Sequence, residues 1–201
     1  MPLHRRSFQR HGVRELSLVC DLGPGERLED SLEAILAALR EEGAIDAVTR
    51  FAGFGSLAAH ERSAAFLSER LGTLEWPLFW TVGQSCKGAE AAGFLVRAVP
   101  GAEVTTIRLD GRPVGRSYQD TFARVVDLAD PFRGREAGDP ARDARETFEA
   151  LTRALKQAGM SFDDVIRTWF YNDDILAWYG CFNQVRSSFF RSQGTFDKLV
   201  P

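Results

Sequence analysis

The sequence predicts an α+β fold built from two tandem repeats. Three observations carry this prediction. Short alternating stretches typical of strands are interspersed with amphipathic stretches of helical period. The segment LEAILAALREEG (32–43) aligns with FEALTRALKQAG (148–159), including the final glycine of each. Ser56 and Leu71 are 15 residues apart, as are Asp174 and Phe189, and the elements GTLE (72–75) and GTFD (194–197) then follow, which indicates an internal repeat.

The first half is predicted as β-α-β-α-β-β. Alternation predicts strands at 13–22, 47–54, 77–83 and 93–99. Leucine and isoleucine at helical spacing predict a helix from Leu28 that ends at Gly43. Ser56 is predicted to cap a second helix that ends near Leu71. The basic residues His4, Arg5, Arg6 and Arg10 are predicted to form a solvated terminal arm.

The second half is predicted to begin with a hairpin at 104–115, because Asp110-Gly111 suits a tight primed turn. A strand at 123–130 and a Pro/Gly/charge-rich loop at 131–140 follow. Asp139-Pro140 is predicted to start a helix that Gly159 ends. DVIRTWFY (164–171) is predicted as a strand, and Asp174 as the cap of a last helix that ends near Arg191. We therefore expect domains at 1–108 and 109–201.

The two copies of the repeat end differently. GTLE leads into two further strands, whereas GTFD is followed only by KLVP. The sequence thus predicts a second domain that lacks its last two strands, or that borrows strands from a partner. An unpaired sheet edge recruits other chains, so we expect self-association.

The composition limits the classes of function. The net charge is −3, which provides no overall basic balance for nucleic-acid binding. No apolar stretch approaches the ~20 residues that span a bilayer. Cys20, Cys86 and Cys181 are odd in number and widely spaced, which disfavours a disulfide framework or a metal site and favours a cytoplasmic location. We expect no cofactor.

Residues 115–201 resemble the RidA/YjgF family of imine/enamine deaminases, once called endoribonuclease L-PSP. The resemblance depends on QAGMSFDDVIRTWFY, NDDILAWY, FNQVRSSFF and GTF. Asn183 matches the family's helix asparagine, whereas Arg186 stands where the family usually has tyrosine. GRSYQD (115–120) weakly resembles the family's Gly-Pro-Tyr-x-Gln element, which makes Tyr118 a candidate. RTWFY and the LVP ending also resemble the amino-terminal domain of chorismatases.

This resemblance implies a chorismate-mutase-like sheet with helices packed on one face, and trimer-like assembly with ligand clefts between subunits. It also implies a small carboxylated ligand. Asn183, Arg186, Tyr118 and Tyr171 are the predicted ligand-binding residues, and the resemblance identifies no catalytic residue in this chain. The arginine with which the deaminases hold the substrate carboxylate would lie at or beyond Pro201, so we expect little or no deaminase activity. A chorismatase-like enol-ether hydrolase domain and a non-catalytic binding or assembly module are the alternatives.

Overall fold

The computed structural model describes residues 2–129 and 139–197. The chain divides into two compact units, 1–129 and 130–201. The described ranges contain four α-helices and two β-sheets, which confirms the predicted α+β class. The predicted domain boundary at 108/109 falls inside a strand of the first unit, Val104–Leu109. Most of the loop predicted at 131–140, and the KLVP ending, lie outside the described residues.

The first unit contains eight strands and two helices. In chain order they are β1 (Leu3–Arg10), β2 (Val13–Asp21), α1 (Leu28–Glu41), β3 (Val48–Gly55), α2 (Leu57–Leu71), β4 (Leu78–Val82), β5 (Ala91–Ala98), β6 (Val104–Leu109), β7 (Arg112–Gln119) and β8 (Arg124–Leu128). Every strand and helix predicted for the first half is present within a few residues of its expected bounds. The hairpin and the strand predicted at 123–130 are also confirmed as β6, β7 and β8.

A five-stranded sheet forms the centre of this unit, with the strand order β1-β2-β5-β3-β4. Strand β3 pairs in parallel with β4 and antiparallel with β5, which lies between β2 and β3. Alternate residues of β2 and β5, such as Leu18 and Val96, are buried in one core with the apolar residues of α1 and α2. Both helices therefore pack on one face of the sheet, and the opposite face carries no helix of this unit.

The second sheet has the strand order β6-β7-β8. Its central strand β7 packs near β3, and Asp127 of β8 lies 3.9 Å from the Nε of Arg50 in β3. Val114 and Ile107 are buried in this sheet. The turn between β6 and β7 has positive φ at both Asp110 and Gly111, as the primed hairpin turn requires.

Strand β1 was not predicted. The basic residues expected in a solvated arm instead lie on an edge strand that pairs with β2 along its whole length. His11 and Gly12, both with positive φ, make the intervening turn. Seven of the eight β1 residues are exposed, so the segment shows no apolar alternation that would reveal a strand. Arg5 forms ion pairs with Glu41, the last residue of α1, and with Glu42, which follows it.

The second unit consists of helices in the described residues. Helix α3 (Pro140–Gln157) is capped by Asp139, whose side chain accepts a hydrogen bond from the Arg142 N–H, as predicted. Helix α4 (Ile175–Ser192) packs against α3, and short 3₁₀ turns cover Phe162–Asp164 and Thr195–Asp197. An aromatic cluster joins them: Phe148 stacks on Phe189 at 4.4 Å, and Phe162 meets the Phe189 ring edge-on at 4.7 Å.

The strand predicted at 164–171 is wrong. Residues 165–174 form no ladder, although Val165 has extended φ and ψ angles of −79° and 114°. A strand exists only where neighbouring backbone accepts its hydrogen bonds, and the described part of the second unit contains no other strand. The described part of the second unit therefore has no counterpart of β3 at this position of the predicted repeat. The final glycines do match, since Gly43 and Gly159 both have positive φ.

Asp174 occupies the residue before α4, as predicted, but its side chain makes no capping hydrogen bond. Its φ of 41° places it in the left-handed region, and its carbonyl accepts from the Ala177 N–H instead. Trp178 then interrupts the helical backbone, and its indole N–H donates to the Asp173 carbonyl at 3.0 Å. The first turn of α4 is thus organised by backbone and indole groups rather than by a carboxylate cap.

Candidate functional site

Asn183 and Arg186 lie three residues apart on one face of α4. The Oδ1 of Asn183 is buried and accepts no hydrogen bond within the described part of the chain. The guanidinium carbon of Arg186 lies 5.8 Å from the centroid of the Phe182 ring. No carboxylate of residues 2–129 or 139–197 forms an ion pair with Arg186. An unused acceptor and an unpaired cation are therefore neighbours on this helix.

The other two predicted ligand residues lie on other segments of the chain. Tyr171 is half exposed in the segment before α4, which lacks regular structure. Tyr118 lies on β7 of the first unit, between Val104 of β6 and Val125 of β8. Only Asn183 and Arg186 of the four are brought together on one element. The sequence spacing predicted that pair because residues three apart share a helix face.

A second charged group, the Arg50–Arg97–Asp127 cluster, lies in the first unit. Arg50 of β3 and Arg97 of β5 are direct register partners on the helix-free face of the five-stranded sheet. Asp127 lies opposite them on β8, with its Oδ2 3.9 Å from the Arg50 Nε. Burial raises the pKa of the Asp127 carboxyl, and Arg50 and Arg97 partly oppose this shift.

Tyr118 shares a face of the small sheet with Asp127, since Tyr118 lies two residues beyond Arg116, the register partner of Asp127. Burial is the main cause that raises the pKa of the Tyr118 hydroxyl, and the carboxylates of Glu15, Asp120 and Asp127 add to it. Tyr118 is therefore part of the surroundings of this cluster.

Arg116 lies two residues before Tyr118 and is 3% exposed. Its Nη1 donates to the Glu75 carbonyl at 3.0 Å and to the Thr106 hydroxyl at 2.6 Å, and its Nη2 donates to the Asp46 carbonyl. Burial lowers the pKa of this guanidinium, which nearby Glu75 partly counteracts. These backbone contacts identify Arg116 as a structural cation that ties the small sheet to the loops before β3 and β4.

The remaining candidates offer no site. The His60 ring packs 5.3 Å from Trp80, and Cys86 lies exposed in the loop after β4. A cleft of about 480 Å³ lies beside the β1–β2 turn, but the only cation among its lining residues, Arg14, is already paired with Glu42.

Residues 2–129 and 139–197 contain no group of three potential metal ligands. In the same ranges, every helix is too short or too polar to cross a bilayer.

Comparison with protein-family models, with curated proteins and with solved structures finds no match to this chain.

Sequence reasoning missed Arg97 and Asp127 as candidate residues. The sequence contained a partial signal for this cluster, because Arg50 and Arg97 are each the one charged residue in a predicted strand. What was not visible is that β5 inserts between β2 and β3, which sets Arg50 opposite Arg97. Asp127 joins them only because the second sheet packs against this face.

Proposed function

We propose that this chain is a RidA/YjgF-like binding protein for small carboxylated molecules. The pair of Asn183 and Arg186 carries this proposal. A guanidinium presents a planar fork of N–H donors that matches the two oxygens of a carboxylate. Arg186 forms no ion pair within the described residues and keeps its donors available for such a ligand.

Asn183 requires that the ligand also carry a hydrogen-bond donor. Its buried Oδ1 accepts nothing within the described chain, and a buried acceptor without a donor is costly. A ligand that carries an N–H group next to its carboxylate would satisfy both side chains. The chemistry therefore favours 2-imino or 2-amino acids over 2-oxo acids, in agreement with the substrate class that the resemblance implies.

The arrangement of the first unit supports the family resemblance. Its two helices pack on one face of the five-stranded mixed sheet, as expected of a chorismate-mutase-like fold. A chorismate-mutase-like fold with two tandem repeats is part of the proposal. Fold likeness alone does not assign chemistry, so the proposed ligand depends on the side chains of α4.

The contacts favour binding over catalysis. Deamination of an imine requires a group that positions or activates water beside the C=N carbon. Neither Asn183 nor Arg186 forms a hydrogen bond or ion pair with an acidic side chain in the described ranges. Binding without turnover is therefore the favoured form of the proposal, and a deaminase that uses the same pair is the alternative.

Calorimetric titration with 2-aminobutanoate and 2-oxobutanoate tests the proposal. We expect Arg186→Ala to weaken binding of both acids by roughly tenfold or more, because a charge-assisted hydrogen bond contributes ~1.5–3 kcal/mol. Asn183→Leu should weaken only 2-aminobutanoate, by roughly fivefold, because the oxo acid donates no hydrogen bond to Oδ1.

Arg191→Ala, which removes an exposed arginine of the same helix, is the matched control and should change neither affinity. Equal losses in Arg191→Ala and Arg186→Ala would contradict the proposal. Turnover is measured separately, by generating 2-iminobutanoate with an amino-acid oxidase and trapping it with semicarbazide. Suppression of trapping that disappears in Arg186→Ala would identify a deaminase instead of a binding module.

Self-association is a further expected property. Ile166, Trp169, Leu176 and Tyr179 are 99%, 62%, 90% and 56% exposed around the start of α4. A concentration of large exposed apolar side chains is typical of a protein interaction site. We expect sedimentation velocity to show assembly that increases with concentration, and Trp169→Ser with Leu176→Ser to reduce it. Phe122→Ser, at a 76% exposed aromatic of the first unit, is the control. A monomer at all concentrations would contradict this expectation.

A further inference from the structure

The helix-free face of the five-stranded sheet carries two arginines side by side. Arg50 and Arg97 are register partners on adjacent antiparallel strands and point to the same face. Like charges directly opposite each other across a ladder are unfavourable unless something neutralises them. The pairing of β3 with β5 thus brings two cations together, and nothing in the pairing itself offsets their repulsion.

Within the described residues, Asp127 is the counter-charge that lies near these two cations. Asp127 is 3.9 Å from the Arg50 Nε, too far for a hydrogen bond, and the buried Nε–H donates to nothing in the described chain. Arg97 is exposed, and its guanidinium forms no ion pair with residues 2–129 or 139–197. With Asp127 ionised, the cluster keeps one surplus positive charge and unused guanidinium donors.

We propose that Arg50 and Arg97 together bind a small oxyanion on the helix-free face of the sheet, with Asp127 as its competitor for Arg50. One oxyanion between the two strands would accept hydrogen bonds from both guanidiniums and would relieve their mutual repulsion. The site lies in the first unit and is independent of the ligand proposed for α4.

Neighbouring groups define the boundary of this site. Arg116, the register partner of Asp127, is occupied by the carbonyls of Asp46 and Glu75 and is not available to a ligand. Tyr118 lies further along the same face of the small sheet. Arg97 is the exposed member of the pair, so a small anion would reach the two guanidiniums from the Arg97 side, above β5.

The test uses the full chain with Arg186→Ala, so that the proposed α4 site does not contribute. Arginine Nε–H resonances are followed by NMR during titration with acetate and, separately, with inorganic phosphate, at an ionic strength held constant with chloride. We expect saturable shifts of the Arg50 and Arg97 signals. The two anions distinguish a planar carboxylate from a tetrahedral phosphate as the preferred oxyanion.

Two substitutions should act in opposite directions. Arg97→Ala should weaken anion binding by roughly tenfold or more. Asp127→Asn should tighten it by about tenfold, because a like charge is removed beside the anion. Arg40→Ala is the matched control, because Arg40 lies on α1, which packs on the opposite face of the sheet, and should leave binding unchanged.

Arg97 is exposed, so its removal should leave the urea midpoint of unfolding unchanged or raised while binding is lost. This combination separates a binding role from a structural one. Linear, non-saturating shifts would overturn the proposal. So would an affinity that is unaffected by Arg97→Ala, or an Asp127→Asn variant that remains folded and binds the anion no more tightly.

Discussion

Replacement of Arg116 by methionine is expected to destabilise the first unit by about 2–4 kcal/mol. The guanidinium is buried, and it donates to the Asp46 carbonyl and to the Thr106 hydroxyl. Methionine retains most of the volume but removes every donor, which leaves the Asp46 carbonyl without that partner. Because folded domains are stable by only ~5–15 kcal/mol, this loss is a large fraction of the total.

Arg108→Met is the matched control for this prediction. Arg108 also contacts Glu75, donating to both carboxylate oxygens at 2.7 Å, but its side chain is 36% exposed. A solvent-exposed ion pair of this kind contributes ~0–1 kcal/mol. Urea unfolding followed by near-ultraviolet circular dichroism measures both variants. Similar midpoints for Arg116→Met and Arg108→Met would show that the buried contacts do not hold the small sheet in place.

Gly93→Ala is expected to cost about 3 kcal/mol or more, or to prevent folding of the first unit. Gly93 has a φ of 147°, and a Cβ there would lie 2.0 Å from the Cys20 carbonyl oxygen. That oxygen belongs to the backbone of β2, which pairs with β5 at Asp21 and Gly93. The clash therefore cannot be relieved by a side-chain rotation and would separate two central strands.

Gly88→Ala provides the comparison for Gly93→Ala. Gly88 also has positive φ, 75°, but no atom lies within 4 Å of an added Cβ. Its expected cost is only the backbone strain of about 1–2 kcal/mol. The difference between the two midpoints of urea unfolding isolates the steric contribution. Equal costs would mean that the β2–β5 pairing tolerates a side chain at this position.

Local sequence signals predicted most of the secondary structure. The leucine period of α1 and the Asp110-Gly111 turn act over a few residues, and each is present. The hydroxyl of Ser56 accepts from the Ala59 N–H at 3.1 Å, as the capping prediction requires. Such features depend on backbone conformation and nearest neighbours alone, which is why the sequence is sufficient to identify them.

Local spacing was also sufficient to bring together two of the four predicted ligand-binding residues. Asn183 and Arg186 could be placed together because helical spacing is local. Tyr118 and Tyr171 could not be related to that pair by any local rule, and the structure places Tyr118 among the neighbours of Asp127 instead.

Tertiary structure decided the strands and the charges that depend on distant partners. The segment Leu3–Arg10 became a strand because β2 accepts its hydrogen bonds, whereas 165–171, with a more strand-like sequence, has no ladder in the described residues. The Arg50–Arg97 pair exists because β5 enters the sheet between β2 and β3. By itself the sequence determined the helices, the Asp110-Gly111 turn and the caps at Ser56 and Asp139, whose energies are local. Strand pairing and the assembly of charges across sheets were decided only by the fold, because each requires groups far apart in the chain to meet.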